Sequence, residues 1–395
     1  MIPRLKPALG WQEIKAALTW PRNDDVPRFE KAFAEKMGQK HAVAFPYGRT
    51  GLVLLLEALD LKGKEIICPA YTCVVVPHAI VTSGNVPVFV DSQEEDFNMN
   101  LDLVPEAINE NTSAIIATSI FGYPVDLDKL AVISQKYPHV QIIQDCAHSF
   151  AAEWKGRPVQ REGVAAIFGL NISKLMTSIF GGMVTTDDDV LYERLRQLRN
   201  ERLQPASVMK SLRRLIYLFA IYPSFWPPIY GLVNRLERSG VLDRFTKYYD
   251  EGVIDMPEDY LEQMSKVEAR VGVTQLQKYN QIVEKRVSVT QEYFAELKAV
   301  DNLMLPPCVN GATYSHFVTQ VDDRSICLAK ALKAGVQLGQ LIEYAIPQLR
   351  AYRQDGTNRY FPFARSYAKR TINLPVFFHL DKSQQQQVVR LWKKS

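Results

Sequence analysis

Two residues in this 395-residue sequence could together do chemistry on a carbonyl group: the carboxylate of Asp145 and the amine of Lys174, 29 positions later. Each follows a short apolar run. Val140-Gln141-Ile142-Ile143-Gln144-Asp145 leads into Cys146-Ala147-His148, and Val164-Ala165-Ala166-Ile167-Phe168-Gly169-Leu170 leads through Asn171-Ile172-Ser173 to Lys174. Runs of this length bounded by turn residues read as strands buried on both faces, and ligands gather at the ends of such strands. A lysine amine forms a Schiff base with a carbonyl, and a fixed acid keeps a pyridine nitrogen protonated as an electron sink, which is what a pyridoxal phosphate site needs. An ordinary strand-end acid and a solvated lysine would look the same, so the surrounding elements have to decide.

Those elements alternate. A helical period over 26–38 puts Phe29, Ala32 and Phe33 on one face, and a strand-like run follows at 42–45. The chain then breaks at Pro46-Tyr47-Gly48-Arg49-Thr50-Gly51 before an apolar helix over 52–59. Strand, glycine turn and helix point backbone N–H groups at an anion, so Gly48, Arg49 and Thr50 form a candidate phosphate cradle. A plain turn with a helix cap fits equally well, because neither a GxGxxG nor a Walker sequence is present. Further strands are expected at 65–69, 86–91 and 113–118 and near 184–187, with helices at 72–82, 127–135 and 190–200. This alternation predicts an α/β fold with a mostly parallel sheet covered on both faces.

Composition excludes several classes. A hydrophobic share of 47% with 23% charged residues is that of a soluble globular protein, and a net charge of +4 without a long single-sign run gives no argument for nucleic acid. The first six residues lack the apolar core of a signal peptide, which makes the cytoplasm the expected location. Five cysteines, an odd number without CxxC spacing, argue against a disulfide framework or a zinc site, and no metal is expected.

Taken together, many segments resemble the DegT/StrS-type family of sugar aminotransferases, fold-type I enzymes that use pyridoxal 5'-phosphate. The likeness is carried by Val26-Pro27-Arg28-Phe29-Glu30, Gly48-Arg49-Thr50-Gly51-Leu52, Pro69-Ala70-Tyr71-Thr72, Pro87-Val88-Phe89-Val90-Asp91, Phe121-Gly122-Tyr123-Pro124-Val125-Asp126, Asp145-Cys146-Ala147-His148, Lys174, Gly181-Gly182, Glu268-Ala269-Arg270-Val271-Gly272 and Leu374-Pro375. It covers most of the chain apart from about residues 205 to 260. The resemblance implies that Lys174 is the Schiff-base lysine and that Asp145 pairs with the pyridine nitrogen. Ala147 would lie against the ring, His148 near its phenolic oxygen, and Gly48, Arg49 and Thr50 at the phosphate, with Asn171 among the cofactor contacts. Three positions depart from the pattern. Gly169 stands where the family has a phosphate-binding serine. Cys73 replaces the stacking aromatic, leaving Tyr71 as substitute or no stack at all. Gln263 falls near an asparagine that the partner subunit contributes. Tyr344 and His316 are candidate substrate contacts, though either could as easily be structural.

By resemblance, the expected reaction is transfer of an amino group to a keto sugar, nucleotide-linked, from glutamate, by a homodimer, in pathways such as cell-surface polysaccharide synthesis. A sugar dehydratase on the same scaffold is a rival, but that branch carries histidine in place of the lysine. A non-catalytic scaffold of this fold is another.

The expected domains are a large cofactor domain at 1–205, a hydrophobic, aromatic-rich insertion at 206–256 and a small α+β domain at 257–395. In the small domain, helices are expected over 267–282, 287–297 and 325–334, and a strand over 314–319. The insertion is uncharged from 215 to 233, close to the roughly 20 residues a membrane helix needs. Pro223, Pro227 and Pro228 break it into two short helices. These could cover the dimer interface or the mouth of the site, or lie on a membrane surface through 211–238 with Arg235 and Arg238 at headgroup level.

Overall fold

The structure, a computed structural model, describes residues 1–94, 96–239, 250–353 and 360–393. The apolar runs pair into one seven-stranded sheet. Its strands are β1 (His41–Phe45), β2 (Glu65–Pro69), β3 (Val86–Val90), β4 (Thr112–Thr118), β5 (Gln141–Asp145), β8 (Ala165–Gly169) and β9 (Gly182–Thr186). A two-residue hairpin, β6 (Glu153–Trp154) with β7 (Arg157–Pro158), lies outside it. The order is β1-β9-β8-β5-β4-β2-β3, with β9 alone antiparallel to its neighbours. This is the mostly parallel α/β sheet read from the alternation.

Successive strand residues feed opposite cores, as a sheet covered on both faces requires. Ile67, Ile115, Ala117 and Ile142 join one cluster with Phe29 and Phe33, whereas Ile66, Cys68, Ile116 and Ile143 join another with Leu55 and Leu191. Around the sheet run α1 (Trp11–Leu18), α2 (Asp25–Met37), α3 (Gly48–Ala58), α4 (Val75–Thr82), α5 (Val104–Ala107), α6 (Leu127–Lys136) and α7 (Asp189–Arg202). Because β9 runs backwards, its first residue, Gly182, sits at the carboxyl end of the parallel strands, paired with both Phe45 and Gly169. All the chemistry-bearing strand ends therefore meet on one edge.

Beyond the sheet, α8 (Val208–Ser224) and α9 (Pro227–Arg238) are the two helices expected of the insertion, bent by 111°; Pro223 does not break the chain as expected but lies in the last turn of α8, and the break falls at Phe225 and Trp226 before Pro227. Among the described residues no single helix is long and apolar enough to cross a membrane. Residues 240–249 of the expected insertion and the side chain of Arg238 lie outside the described residues.

The two helices expected over 267–297 are one 32-residue helix, α10 (Lys266–Leu297). No proline or glycine interrupts it between 283 and 286, and Ile282, Arg286 and Val289 carry the buried stripe straight through. A Ser265–Glu268 capping box starts this helix, and Gly272 lets it close on α2, since a Cβ there would fall 2.3 Å from the Phe29 ring. The strand expected over 314–319 begins only at Phe317, because Tyr314 turns the chain with φ 47°.

Candidate active site

Thr118 and Asp145 are register partners at the ends of β4 and β5, so the parallel pairing sets a hydroxyl beside a carboxylate. Thr118 Oγ1 donates to Asp145 Oδ2 at 3.2 Å and the Ala147 amide to Oδ1 at 3.0 Å. Burial holds the Asp145 carboxyl above its usual range, while these two donors and Lys174 pull it down. The result is a positioned buried acid with high proton affinity.

Lys174 stands on a loop whose ends are closed on each other. The Leu170 amide bonds the Gly181 carbonyl, and the Leu170 carbonyl accepts from Ser178 N at 2.9 Å and Thr177 Oγ1 at 3.1 Å. Asn171 fixes the turn into the lysine: its Oδ1 accepts from Ser173 N and Oγ, and its carbonyl from Lys174 N at 3.1 Å. Burial lowers the Lys174 ammonium pKa, with Cys73 and Asp145 opposing it, so the neutral amine is reached at lower pH than in free lysine. Gly169 lies flush against this side chain, for a Cβ there would meet Lys174 Cε at 3.1 Å. A serine at 169 would crowd the lysine.

The third component is the start of α3. Gly182 comes so near that a Cβ on it would lie 2.3 Å from the Gly48 nitrogen, which is why glycine stands there. The first amides of α3, at Gly48, Arg49 and Thr50, have no intrahelical acceptors and lie at the positive end of the helix dipole. Thr50 contributes an amide only; its hydroxyl donates to the Tyr260 carbonyl at 3.2 Å, away from the cleft.

These groups converge on one cleft of about 1060 Å3 including its open mouth, lined among others by Gly48, Arg49, Cys73, Thr118, Asp145, Ala147, His148, Gly169, Asn171 and Lys174. Neutral His148 stacks on Phe121 at 5.8 Å, and its Nδ1 accepts from the Phe121 amide at 3.4 Å, which assigns the proton to Nε2. Its pKa lies well below the usual histidine value through burial, then Lys174 and His316.

Four expected residues stand off the cleft. Tyr71 is fully buried among Phe97, Phe121 and Tyr367, with its hydroxyl against Ile342 O and Thr371 Oγ1, so it gives no ring stack here. Tyr344 is buried and accepts the Val74 amide at 3.0 Å, bracing the start of α4, while Leu341 and Ile342 of the same loop reach the cleft. His316 packs behind His148 at 5.4 Å and pairs with Ser315. Gln263 bonds back to Gln204 and Leu203, outside this chain's own cleft.

Sequence reasoning missed Thr118 and Tyr47. Thr118 could have been found as the polar end of the strand pairing with the Asp145 strand. Tyr47 lines the mouth, donates to Asp259 and accepts from Arg214 Nη2 at 3.0 Å. Nothing local in the sequence links it to an arginine 167 residues on.

The residues present fit pyridoxal phosphate: a buried lysine amine whose pKa burial lowers, a buried acid, small Ala147 and Gly169 leaving room for a flat ring, and a helix start with uncapped amides for a phosphate. A sequence profile described as the DegT/DnrJ/EryC1/StrS aminotransferase family matches residues 11–216 and 230–392. The profile thus leaves out only 217–229 of the insertion, far less than the 205–260 gap expected. An uncharacterized protein of Methanocaldococcus jannaschii is 28% identical over 312 residues, 77% of this chain and 72% of that protein. Two solved structures share the fold. Spr1654 from Streptococcus pneumoniae, in its PLP-form, has a TM-score of 0.79 at 20% identity, covering 99% of this chain and 97% of that one. DesI, studied in the presence of its TDP-sugar product, has a TM-score of 0.76 at 21% identity, covering 98% and 90%. The chain belongs to the DegT/DnrJ/EryC1/StrS aminotransferase family, and its cofactor is pyridoxal phosphate.

Proposed function

We propose that this aminotransferase moves an amino group from glutamate to the carbonyl carbon of a keto sugar carried on a nucleotide, and that it works as a homodimer. The observation that carries the reading is the convergence of Lys174 and Asp145 on one cleft with the bare start of α3. The TDP-sugar product of DesI supports the nucleotide-linked substrate. Pyridoxal phosphate, when bound, supplies a carbonyl for the lysine and an electron sink for the carbon that loses or gains a proton. In this reading Lys174 Nζ would hold the cofactor and, as a free amine, would take the donor's α-proton and return one to the sugar carbon that receives nitrogen. Asp145 holds a proton against the ring nitrogen, steadied by Thr118 and the Ala147 amide. His148, with its proton on Nε2, would offer that N–H to the phenolic oxygen. Gly48 and Arg49 hold the phosphate, and Asn171 keeps the lysine turn in place.

The test is a half-reaction series on purified protein loaded with the cofactor. Glutamate should bleach the visible band of the lysine-bound cofactor and release 2-oxoglutarate, and one of a panel of nucleotide keto sugars should restore the band. Bleaching by another amino acid but not by glutamate would remove the donor assignment. Restoration by free keto sugars as efficiently as by nucleotide-linked ones would remove the nucleotide.

A further inference from the structure

We propose that the outer faces of α8 and α9 seat this protein on an anionic lipid bilayer surface. Helix α8 is divided lengthwise. Lys210, Arg214 and Leu218, one turn apart, face inward: Lys210 Nζ bonds the Glu262 carbonyl at 2.8 Å, Arg214 bonds Asp259 at 2.6 Å and Glu268 at 2.9 Å, and Leu218 joins an apolar cluster with Ile14 and Ala17 of α1. The opposite side carries Met209, Leu212, Ile216 and Phe219 at helical spacing, all exposed, with Ile216 at 60% and Phe219 at 46%. Helix α9 repeats the pattern with Ile229, Leu232 and Leu236, Leu232 being 60% exposed, and Trp226 stands exposed at the bend. On neighbouring α1, Trp11 and Leu18 are exposed as well. Apolar residues in such a row on a water-facing helix mark a surface that something covers.

Charge identifies the occupant. Between Glu201 and Glu237 the sequence has no carboxylate and five cations. Arg202 pairs with Glu57, and Lys210 and Arg214 are spent on Asp259 and Glu268, leaving Arg213 and Arg235 exposed among the apolar residues. A twofold contact with a second copy would bury this face against its own image, and the one carboxylate on α8 and α9, Glu237, is already paired with Arg4. An anionic headgroup layer supplies the missing negative charge while the apolar side chains enter below it and the arginines reach back up. The 111° bend and the prolines suit two helices lying in the interface rather than one crossing it. The bend, 217–229, is also the part of the chain that the family profile leaves unmatched.

The experiment floats cofactor-loaded protein with vesicles of phosphatidylcholine containing phosphatidylglycerol, and with phosphatidylcholine alone. Wild type should float with the anionic vesicles, more weakly with the neutral ones, and less as salt rises. The exposed pair Ile216→Asp and Leu232→Asp should keep the cofactor band and lose about tenfold or more of the binding. Arg213→Gln with Arg235→Gln should erase the preference for anionic lipid. Wild type that stays with the aqueous phase in both cases overturns the proposal, as does an aspartate variant that floats like wild type. Sedimentation velocity covers the remaining occupant. If the aspartate pair splits an assembly that wild type forms without lipid, the face is a subunit contact and the proposal fails.

Discussion

At the scale of single residues, the proposed chemistry draws on two opposed burial effects. Burial raises the affinity of Asp145 for a proton and lowers that of Lys174, which gives a held acid and an available amine in one cleft. Lys174→Ala is expected to abolish both the visible cofactor band and turnover, read by absorbance and a coupled 2-oxoglutarate assay. Asp145→Asn keeps the shape but loses the charge opposite the ring nitrogen, and kcat should fall by about 10²–10³-fold with the cofactor still bound. Buried His148 and His316 both titrate well below the ordinary value of 6.5. Their folded pKa values are depressed, so the unfolded chain takes up protons first. Stability is intact above about pH 6.5 and is lost as pH falls below it, by about 1.4 kcal/mol per pH unit for each histidine. Urea midpoints of cofactor-free protein from neutral to mildly acidic pH should show this slope, and replacing both histidines with asparagine should flatten it.

At the scale of elements, α8 is more than an appendage. Its Arg214 lies 4.4 Å over the Phe180 ring and ties together Tyr47 at the cleft mouth, Asp259 and the fully buried Glu268 that caps α10. Arg214→Ala strands a buried carboxylate and should cost about 3–5 kcal/mol in urea unfolding. Arg214→Lys keeps the charge but not the planar fork, and should recover part of that stability while still weakening cofactor retention through Tyr47. The strands and most helices were legible because period and turn residues are local signals; the α2 limit at Gly38 and the β5 end at Asp145 follow directly from them. The positions of Tyr71 and Tyr344 were not, because an aromatic beside a functional loop has the same sequence appearance whether its ring faces a ligand or the core. The single length of α10 was missed for a related reason: a helix passing from one core to another changes its buried face without any change in propensity.

At the scale of the whole molecule, the cleft of one chain holds Lys174, Asp145 and the proposed phosphate cradle at the start of α3, whereas Gln263 bonds to Leu203 and Gln204 outside it. In the proposed homodimer, Gln263 would serve the partner's cleft. Coexpressing Lys174→Ala with Gln263→Ala chains should then restore activity that neither variant has alone, because one site of the mixed dimer regains both residues. Absence of restoration would keep Gln263 within its own chain. The two-sided build of α8 has a further consequence. The same helix meets the outside world through Ile216 and Phe219 and meets Tyr47 through Arg214. Any displacement of α8 that favours occupation of its outer side is therefore felt at the entrance of the cleft. Thermodynamic reciprocity then requires cofactor loading to change the affinity of the outer face by the same factor by which surface attachment changes cofactor affinity.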